Sequence, residues 1–235
     1  MQTVYDIFPN IAAIRNPEGF PDIKDEVFWT IYKKCEPYSM IGIDAFYNIF
    51  KSVEYIAKNK IPGDFVECGV YLGGAAMAAA EFLNHFEGCY RKIYLYDTFE
   101  GFPENTSSVD LHGNVIHFTR HENFQKDVEQ NLANCNYDFD LFEVIPGFVE
   151  KTLALEENLP NEVAFLRLDT DYYESTKVEL ERLYPRLTKG GLCTIDDYGQ
   201  FDGAKQATDE YFERLTSSPM PFRVNFSVRV FIKSA

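Results

Sequence analysis

Acidic residues close the short apolar runs of this 235-residue chain, and they are the side chains best suited to chemistry. One run ends at Asp169, and a later run ends at the adjacent pair Asp196 and Asp197. If these runs form neighbouring strands, Asp169 and at least one of the pair converge. Carboxylate oxygens are hard ligands that favour Mg²⁺, Mn²⁺ or Ca²⁺, and adjacent carboxylates repel unless a cation or a proton compensates them. A divalent-cation site is therefore favoured over a solvated acidic loop.

A glycine-rich turn follows the first of the apolar runs. Residues 67–74 read ECGVYLGG. A glycine directly after a strand lets the turn approach a ligand without a Cβ clash, and a glycine pair lets the next helix begin close to the sheet. The spacing differs from the G-x-G-x-x-G fingerprint of dinucleotide-binding proteins. A ligand-binding turn and a purely structural strand-to-helix turn are equally compatible with these glycines.

Asp97 closes the second apolar run. An acid at that place in nucleoside-binding α/β folds accepts hydrogen bonds from the two ribose hydroxyls. With the glycine turn upstream, this role is favoured over that of a helix cap or a solvated loop acid. The residues that follow, Thr98 and Phe99 among them, would line the adenosine side.

Other polar residues fit structural roles better. Asp171 precedes a predicted helix and has Glu174 three residues later, the spacing of a capping box, which predicts a helix N-cap. Cys68 and Cys193 lie in apolar runs and are predicted to be core residues rather than nucleophiles. The histidines form no H-E-x-x-H motif, and we interpret all four as surface or packing residues: His85, His112, His117 and His121.

Apolar runs that alternate with helical patterns predict the elements that position these side chains. The predicted strands are 64–70, 92–97, 141–145, 163–168 and 192–195, and the predicted helices are 44–58, 75–83, 123–132, 174–184 and about 204–215. Parallel strands need crossover helices, so this order predicts an α/β fold with helices on both faces of a parallel sheet. Pro185 and the pair Gly190-Gly191 predict a turn before the fifth strand. Alternating apolar residues in the tail predict one long strand or a terminal hairpin.

The composition excludes several classes of protein. Twenty-two basic and 37 acidic residues give a net charge of −15, which disfavours nucleic acid and anionic membranes as partners. The five cysteines form no C-x-x-C pair, which argues against a disulfide framework or a structural zinc site. The chain shows no signal peptide and no run of about 20 apolar residues. We expect a cytoplasmic protein.

Four segments resemble a known family. They read IPGDFVECGVYLGGAAM, YDTFEGFP, LRLDTDYYESTKVELERLYPRLTKGG and IDDYGQFDGAKQATDEYF, and they lie in this order within roughly residues 61–215. Together they resemble the macrocin O-methyltransferase (TylF-type) family of sugar O-methyltransferases, which depend on S-adenosylmethionine and a metal. The resemblance implies a Rossmann-like class I methyltransferase fold with a mostly parallel, seven-stranded sheet. It implies a methyltransferase domain over 61–235, preceded by an N-terminal helical lid segment over 1–60.

The resemblance also implies which residues bind the cofactor. In the family, the turn after strand one and the acid after strand two hold S-adenosylmethionine. This places Glu67, Gly69 and Gly73 beside the methionine part and Asp97 on the ribose. The full cofactor-binding set implied in this way is Glu67, Cys68, Gly69, Val70, Gly73, Asp97, Thr98, Phe99, Gly147 and Phe148, the last two from an adenine-side loop.

The family's metal ligands correspond to Asp169, Asp196 and Asp197, and its general base corresponds to Asp169. Mg²⁺ (or Mn²⁺) would lower the pKa of a sugar hydroxyl and, by chelating two neighbouring hydroxyls, position the attacking oxygen. The nearby carboxylate would then take the proton. The expected partner is a small sugar-containing acceptor, either a glycosylated metabolite or a polysaccharide precursor, and relatives suggest a homo-oligomer.

Two other functions compete with this one. Asp169-Thr170-Asp171 is a D-x-D sequence, which in a nucleotide-sugar glycosyltransferase would hold Mn²⁺ and a diphosphate. That function leaves the glycine turn and the pair Asp196-Asp197 without a role, so it ranks below methyl transfer. A ligand-binding relative that has lost its chemistry ranks low as well, because all three implied metal ligands are present.

Overall fold

The computed structural model describes residues 15–101, 108–109, 115–116 and 124–234, and a seven-stranded sheet organises them. The strands are β1 Asp64–Cys68, β2 Ile93–Asp97, β3 Phe142–Pro146, β4 Val163–Leu168, β5 Leu187–Ile195, β6 Pro221–Arg223 and β7 Arg229–Ile232. Their order is β3-β2-β1-β4-β5-β7-β6. Strands β1 to β5 are parallel, and β7 runs antiparallel to β5 and β6. The predicted mostly parallel sheet is confirmed.

Helices cover both faces of the sheet, as predicted. They are α1 Glu26–Cys35, α2 Ile43–Asn59, α3 Gly74–Phe86, α4 Phe124–Leu132, α5 Val149–Thr152, α6 Tyr173–Leu183 and α7 Asp202–Glu213. Side chains alternate along a strand, so Phe65 of β1 joins one core with α1, α2 and α3, whereas the next residue, Val66, joins a second core with α6 and α7. A separate antiparallel pair joins Ser108–Val109 to Val115–Ile116. In the described ranges, no helix has the length and apolarity needed to cross a membrane.

The pair Gly190-Gly191 lies inside β5, so the turn predicted there is wrong. Gly190 has φ +83°, a conformation that glycine adopts without strain. It lies in an irregular stretch of β5, where the register with β4 shifts. The backbone N–H of Gly190 donates to the carbonyl oxygen of Lys233 at 2.7 Å, which extends the pairing of β5 with the C-terminal tail. The glycines therefore bend a continuous strand instead of ending it.

The tail forms the hairpin that was one of two predicted alternatives. Strands β6 and β7 pair in antiparallel register. The side chain of Asn225 accepts hydrogen bonds from the backbone N–H groups of Ser227 at 2.8 Å and Val228 at 2.7 Å. An asparagine that bonds to its own backbone in this way stabilises a tight turn, so the chain reverses between the two strands.

The N-terminal helices pack tightly against the rest of the fold. Phe28 of α1, Phe46 of α2 and Phe82 of α3 are fully buried and belong to one core. The segment between α1 and α2 rests on the start of α3, because a Cβ on Gly74 would lie 2.7 Å from the Cys35 carbonyl oxygen and 2.6 Å from the Tyr38 carbonyl carbon. Glycine at position 74 is therefore a packing requirement.

We predict that Gly74→Ala weakens this packing. Its new methyl group meets backbone atoms that cannot swing aside, so unfolding should become easier by about 1–3 kcal/mol. Urea titration measures the free energy of unfolding, and the rate of hydrogen exchange at the backbone amides of α1 should rise. Gly19→Ala is the matched control, because nothing lies within 4 Å of a Cβ there. Equal losses of stability in the two variants would refute the packing role.

Candidate functional site

The carboxyl ends of three parallel strands bring acidic residues to one edge of the sheet. Asp97 ends β2, Asp169 follows β4 and Asp196 follows β5. The sheet's hydrogen bonds continue into these residues: the backbone N–H of Asp169 donates to Cys68, and that of Asp196 donates to Leu168, each at 2.9 Å. These backbone hydrogen bonds fix the positions of the two acids at the carboxyl edge of the sheet. Ligands of such sheets bind at this edge.

Three carboxylates form a compact group at this edge. One oxygen each from Asp169, Asp171 and Asp197 lie within 4.8 Å of one another. The predicted N-cap role of Asp171 is wrong, because the cap residue of α6 is Tyr172. Asp171 has φ +67°, and the backbone N–H of Tyr172 donates to Thr170 at 2.8 Å. This tight, strained turn places Asp171 beside Asp197 instead of on the helix.

Asp196 has a different partner, the buried Arg167. Its Oδ1 accepts from Arg167 Nη2 at 2.8 Å. Arg167 Nη1 also lies 2.8 Å from Asp169 Oδ2 and 2.7 Å from Glu67 Oε1. Of the three implied metal ligands, Asp169 and Asp197 thus share the compact group, and Asp196 faces the guanidinium. The pattern that pointed to Arg167 was present in the sequence: a charged residue inside an apolar strand.

Burial and crowding shift the pKa values of these acids. Burial raises the pKa of Glu67 to about 7, against the attraction of Arg167. Burial is also the largest cause that raises the pKa of Asp171, Asp196 and Asp197, and neighbouring carboxylates add to it. One guanidinium therefore compensates only part of the charge that these acids would carry when ionised. The group can accept a cation or protons.

Several of the residues implied for cofactor binding lie around Asp97. Asp97 Oδ2 accepts from the backbone N–H of Val70 at 2.6 Å and of Tyr71 at 3.1 Å, and its Oδ1 accepts from Phe99 at 2.8 Å. The backbone N–H of Gly147 donates to the Asp97 carbonyl at 2.8 Å. Asp97 thus holds the glycine turn, its own loop and the start of the segment with Phe148 in one cluster.

The glycine turn has a structural requirement of its own. A Cβ on Gly69 would lie 1.9 Å from the carbonyl oxygen of Asp169, and Gly69 has φ +84°. Gly73 also has a positive φ, +87°. Close packing between the ends of β1 and β4 therefore explains Gly69 without a ligand. Glu67, by contrast, has a feature expected of a residue that binds a ligand: its Oε2 is buried without a hydrogen-bond partner.

The sequence also predicted roles for several other single side chains. Cys68 and Cys193 are buried core residues, as predicted. Thr98 donates through Oγ1 to the Gly101 carbonyl at 3.0 Å. His85 is exposed, as predicted. The other three histidines, His112, His117 and His121, lie outside the described residues.

A buried glutamate supports the loop that carries the acids. Glu179 of α6 is fully buried, and its Oε1 accepts from Thr170 Oγ1 at 2.9 Å. Its Oε2 is buried without a partner. Burial raises the pKa of Glu179 to about 8, opposed by that hydrogen bond. Only the structure identified this residue, because its spacing on a helix does not distinguish it from a surface glutamate.

Comparison with known proteins identifies the family. Residues 33–221 match the model of the macrocin O-methyltransferase (TylF) family. The chain belongs to that family. It is 32% identical over 178 residues to demethyldecarbamoylnovobiocin O-methyltransferase of Streptomyces niveus, covering 74% of this chain and 67% of that protein. It is 32% identical over 186 residues to mycinamicin III 3''-O-methyltransferase of Micromonospora griseorubida, covering 75% and 71%.

The solved structure of the O-methyltransferase NovP superposes with a TM-score of 0.71 at 28% identity, covering 84% of this chain and 83% of that chain. The protein therefore has a class I methyltransferase-like fold and is an O-methyltransferase of a family that uses S-adenosylmethionine. Macrocin O-methyltransferase family membership favours methyl transfer over the glycosyl transfer considered for Asp169-Thr170-Asp171.

We predict that Arg167→Gln lowers the free energy of unfolding by about 3–5 kcal/mol, because it leaves buried carboxylates without their cation. Urea titration of the metal-free protein measures the loss. Arg214→Gln is the control, since the exposed Arg214 lies 3.8 Å from Glu210 and such surface pairs contribute below about 1 kcal/mol. A loss as small as the control's would show that the guanidinium is not needed there.

The raised pKa of Glu179 predicts a pH-dependent stability. The folded state holds this proton more tightly than the unfolded state, whose pKa is near 4.5. The contribution is present in full below about pH 4.5 and is lost as the pH rises through about 8. Glu179→Gln removes the titration, so the variant should gain stability relative to wild type between these limits, by up to roughly 1 kcal/mol per pH unit.

Urea titrations across this pH range measure the difference between Glu179→Gln and wild type. Glu181→Gln, an exposed site on the same helix, is the control for loss of one negative charge. A constant difference between Glu179→Gln and wild type at all pH values would contradict the prediction.

Proposed function

We propose that the protein transfers a methyl group from S-adenosylmethionine to a sugar hydroxyl of a glycosylated small molecule, with a divalent cation holding the acceptor. The observation that carries this proposal is the group of Asp169, Asp171 and Asp197, whose oxygens lie within 4.8 Å of one another next to the glycine turn. The name of one relative supports a sugar-bearing acceptor, because 8-demethyl-8-(2,3-dimethoxy-alpha-L-rhamnosyl)-tetracenomycin-C 4'-O-methyltransferase of Streptomyces olivaceus is named for a rhamnosyl compound.

The residues at the glycine turn fit S-adenosylmethionine. The unpartnered Oε2 of Glu67 is a buried acceptor, which suits the ammonium group of the methionine part. Asp97 is only half-buried, so its carboxylate can accept from ribose hydroxyls as well as from the backbone. We assign the adenine side to Gly147 and Phe148, because Gly147 is bonded to Asp97.

The acidic group fits a divalent cation. Its donors are carboxylate oxygens, the hard ligands that Mg²⁺ and Mn²⁺ prefer, and the excess of negative charge favours a cation over vacancy. Asp169 and Asp197 would hold the ion together with Asp171. Asp196, the third ligand implied by the family, would join them by leaving Arg167 or would stay as the partner that orients Arg167.

Bound S-adenosylmethionine supplies an electrophilic methyl group, and a bound divalent cation lowers the pKa of a coordinated hydroxyl. The chain's own part is to take the proton and to orient the reactants. We assign the proton acceptor to Asp169, whose Oδ2 is oriented by Arg167 at 2.8 Å. Asp171 shares the group and is the second candidate for this role. Proton transfer to a positioned carboxylate contributes about 10²–10⁴-fold in rate.

The N-terminal helices are proposed to cover this site. Their connecting segment, near Cys35 and Tyr38, touches Gly74, which is the last residue of the glycine turn and the first of α3. A cover at this place would exclude water from the reacting atoms.

We predict that Asp169→Asn lowers kcat by about 10²–10⁴-fold and weakens Mg²⁺ binding, while S-adenosylmethionine still binds. Calorimetry with each ligand and product analysis by mass spectrometry measure these effects on a panel of glycosides. Asp171→Asn tests the second candidate, and the exposed Asp140→Asn is the control. Turnover that survives a chelator, or full turnover by Asp169→Asn, would refute the metal and base assignments. Failure of the wild type to bind S-adenosylmethionine would refute the proposed reaction.

A further inference from the structure

Two arginines face each other on the terminal hairpin without an acidic partner. Arg223 of β6 and Arg229 of β7 are register partners, so their side chains lie on the same face of the sheet. In the described part of the chain, their guanidiniums bond only to backbone carbonyl oxygens, and neither forms an ion pair. Arg223 is exposed, and Arg229 is half-buried.

This pair costs the fold stability. Like charges directly opposite each other on paired strands are destabilising, and the charge of Arg223 adds to burial in lowering the pKa of Arg229. The cost is notable because the chain has 37 acidic residues, yet residues 216–235 contain none. Lys233, the other basic residue of this segment, is bonded to the carbonyls of Tyr184, Pro185 and Leu187. The arginines also bond to turn carbonyls, through Nε of Arg223 and Nη1 of Arg229, but unlike Lys233 they oppose each other, and among the described residues no acid offsets their charge.

The hairpin turn lies at the same edge of the sheet as the acidic group. Arg229 is the register partner of Ile195 at the end of β5, and Ser227 Oγ donates to the Asp196 carbonyl at 2.5 Å. The guanidinium of Arg229 lies 5.3 Å from the ring centre of Tyr198, the residue after Asp197. The positive charges thus adjoin the loop that supplies one of the three grouped carboxylates.

An exposed aromatic ring lies in the turn between the two arginines. Phe226, at the tip of the turn between the arginines, is 63% exposed. A large apolar side chain in such a position offers a flat surface against which a ring of a ligand can stack. Charge and ring together describe a surface that fits an anion attached to a flat group.

We propose that Arg223 and Arg229 form a phosphate-binding subsite for the acceptor, so that the sugar presented to the acidic group carries a phosphate or diphosphate. Guanidiniums bind phosphate oxygens in bidentate geometry, and two positive charges match a phosphate dianion or a diphosphate. The subsite also offsets the repulsion that the acidic edge exerts on an anionic acceptor. This inference rests on the proposed sugar methylation, whose acceptor it narrows.

The test measures binding of inorganic pyrophosphate by calorimetry in EDTA, so that no metal ion can bridge the probe to the acidic group. Wild type should bind. Arg223→Gln and Arg229→Gln should each weaken binding about tenfold or more, as expected for a lost charge-assisted hydrogen bond. Lys189→Gln removes an exposed charge near the opposite end of β5 and should bind as wild type does. Arg223→Gln should not lower Tm, because it relieves repulsion.

The phosphate could belong to a nucleotide-linked sugar or to a simple sugar phosphate, and binding of thymidine diphosphate distinguishes the two. Tighter binding than pyrophosphate, lost in Phe226→Ala, identifies a nucleotide-linked sugar; equal binding identifies a sugar phosphate. Glucuronate, which carries a carboxylate in place of a phosphate, should bind more weakly than pyrophosphate and thymidine diphosphate.

Three results would overturn the subsite: no binding of pyrophosphate to wild type, unchanged binding in both arginine variants, or a change of oligomeric state in these variants on sedimentation, which would assign the pair to a second copy of the chain. Binding of S-adenosylmethionine is measured in parallel. If wild type does not bind S-adenosylmethionine, the proposed methyl transfer is refuted, whereas the measured binding of pyrophosphate is unaffected.

Discussion

The burial of several carboxylates around one guanidinium is the constraint on which the site depends. Arg167 lies on the central strand β4 with Glu67 of β1 as its register partner, and it reaches the acids that follow β4 and β5. A buried charge without a partner is strongly destabilising, so the positions of these acids are tied to one another. Through Arg167, the cofactor side of the edge and the metal side share one ion-pair network.

Backbone strain gathers at the same edge. Among the described residues, four non-glycine residues have positive φ, and three of them lie there: Tyr71, Phe99 and Asp171. Such conformations cost about 1–3 kcal/mol each and persist where surrounding contacts fix them. Asp97 supplies those contacts for Tyr71 and Phe99 through hydrogen bonds to their backbone N–H groups. The edge is held in a preformed shape, which favours binding and positioning of reactants.

The distribution of charge follows the chemistry proposed for each part. The chain is acidic overall at −15, and its buried acids converge where a cation would bind. The terminal hairpin carries positive charge, because Arg223 and Arg229 lie next to its turn, at the same edge of the sheet as the acids. An acceptor that spans both would be fixed at its hydroxyls and at its anionic end, so two weak contacts would together set its orientation.

The sequence by itself determined the order of strands and helices along the chain, because strand and helix periodicities and glycine turns are local properties. It also identified Glu67, Asp97, Asp169 and Asp197 as edge residues, since each stands at the end of an apolar run. The tertiary structure alone decided which acids meet. Asp171 joins the group through a strained turn, and Asp196 pairs with Arg167. Side-chain partners across strands depend on sheet order and register, which local patterns do not encode.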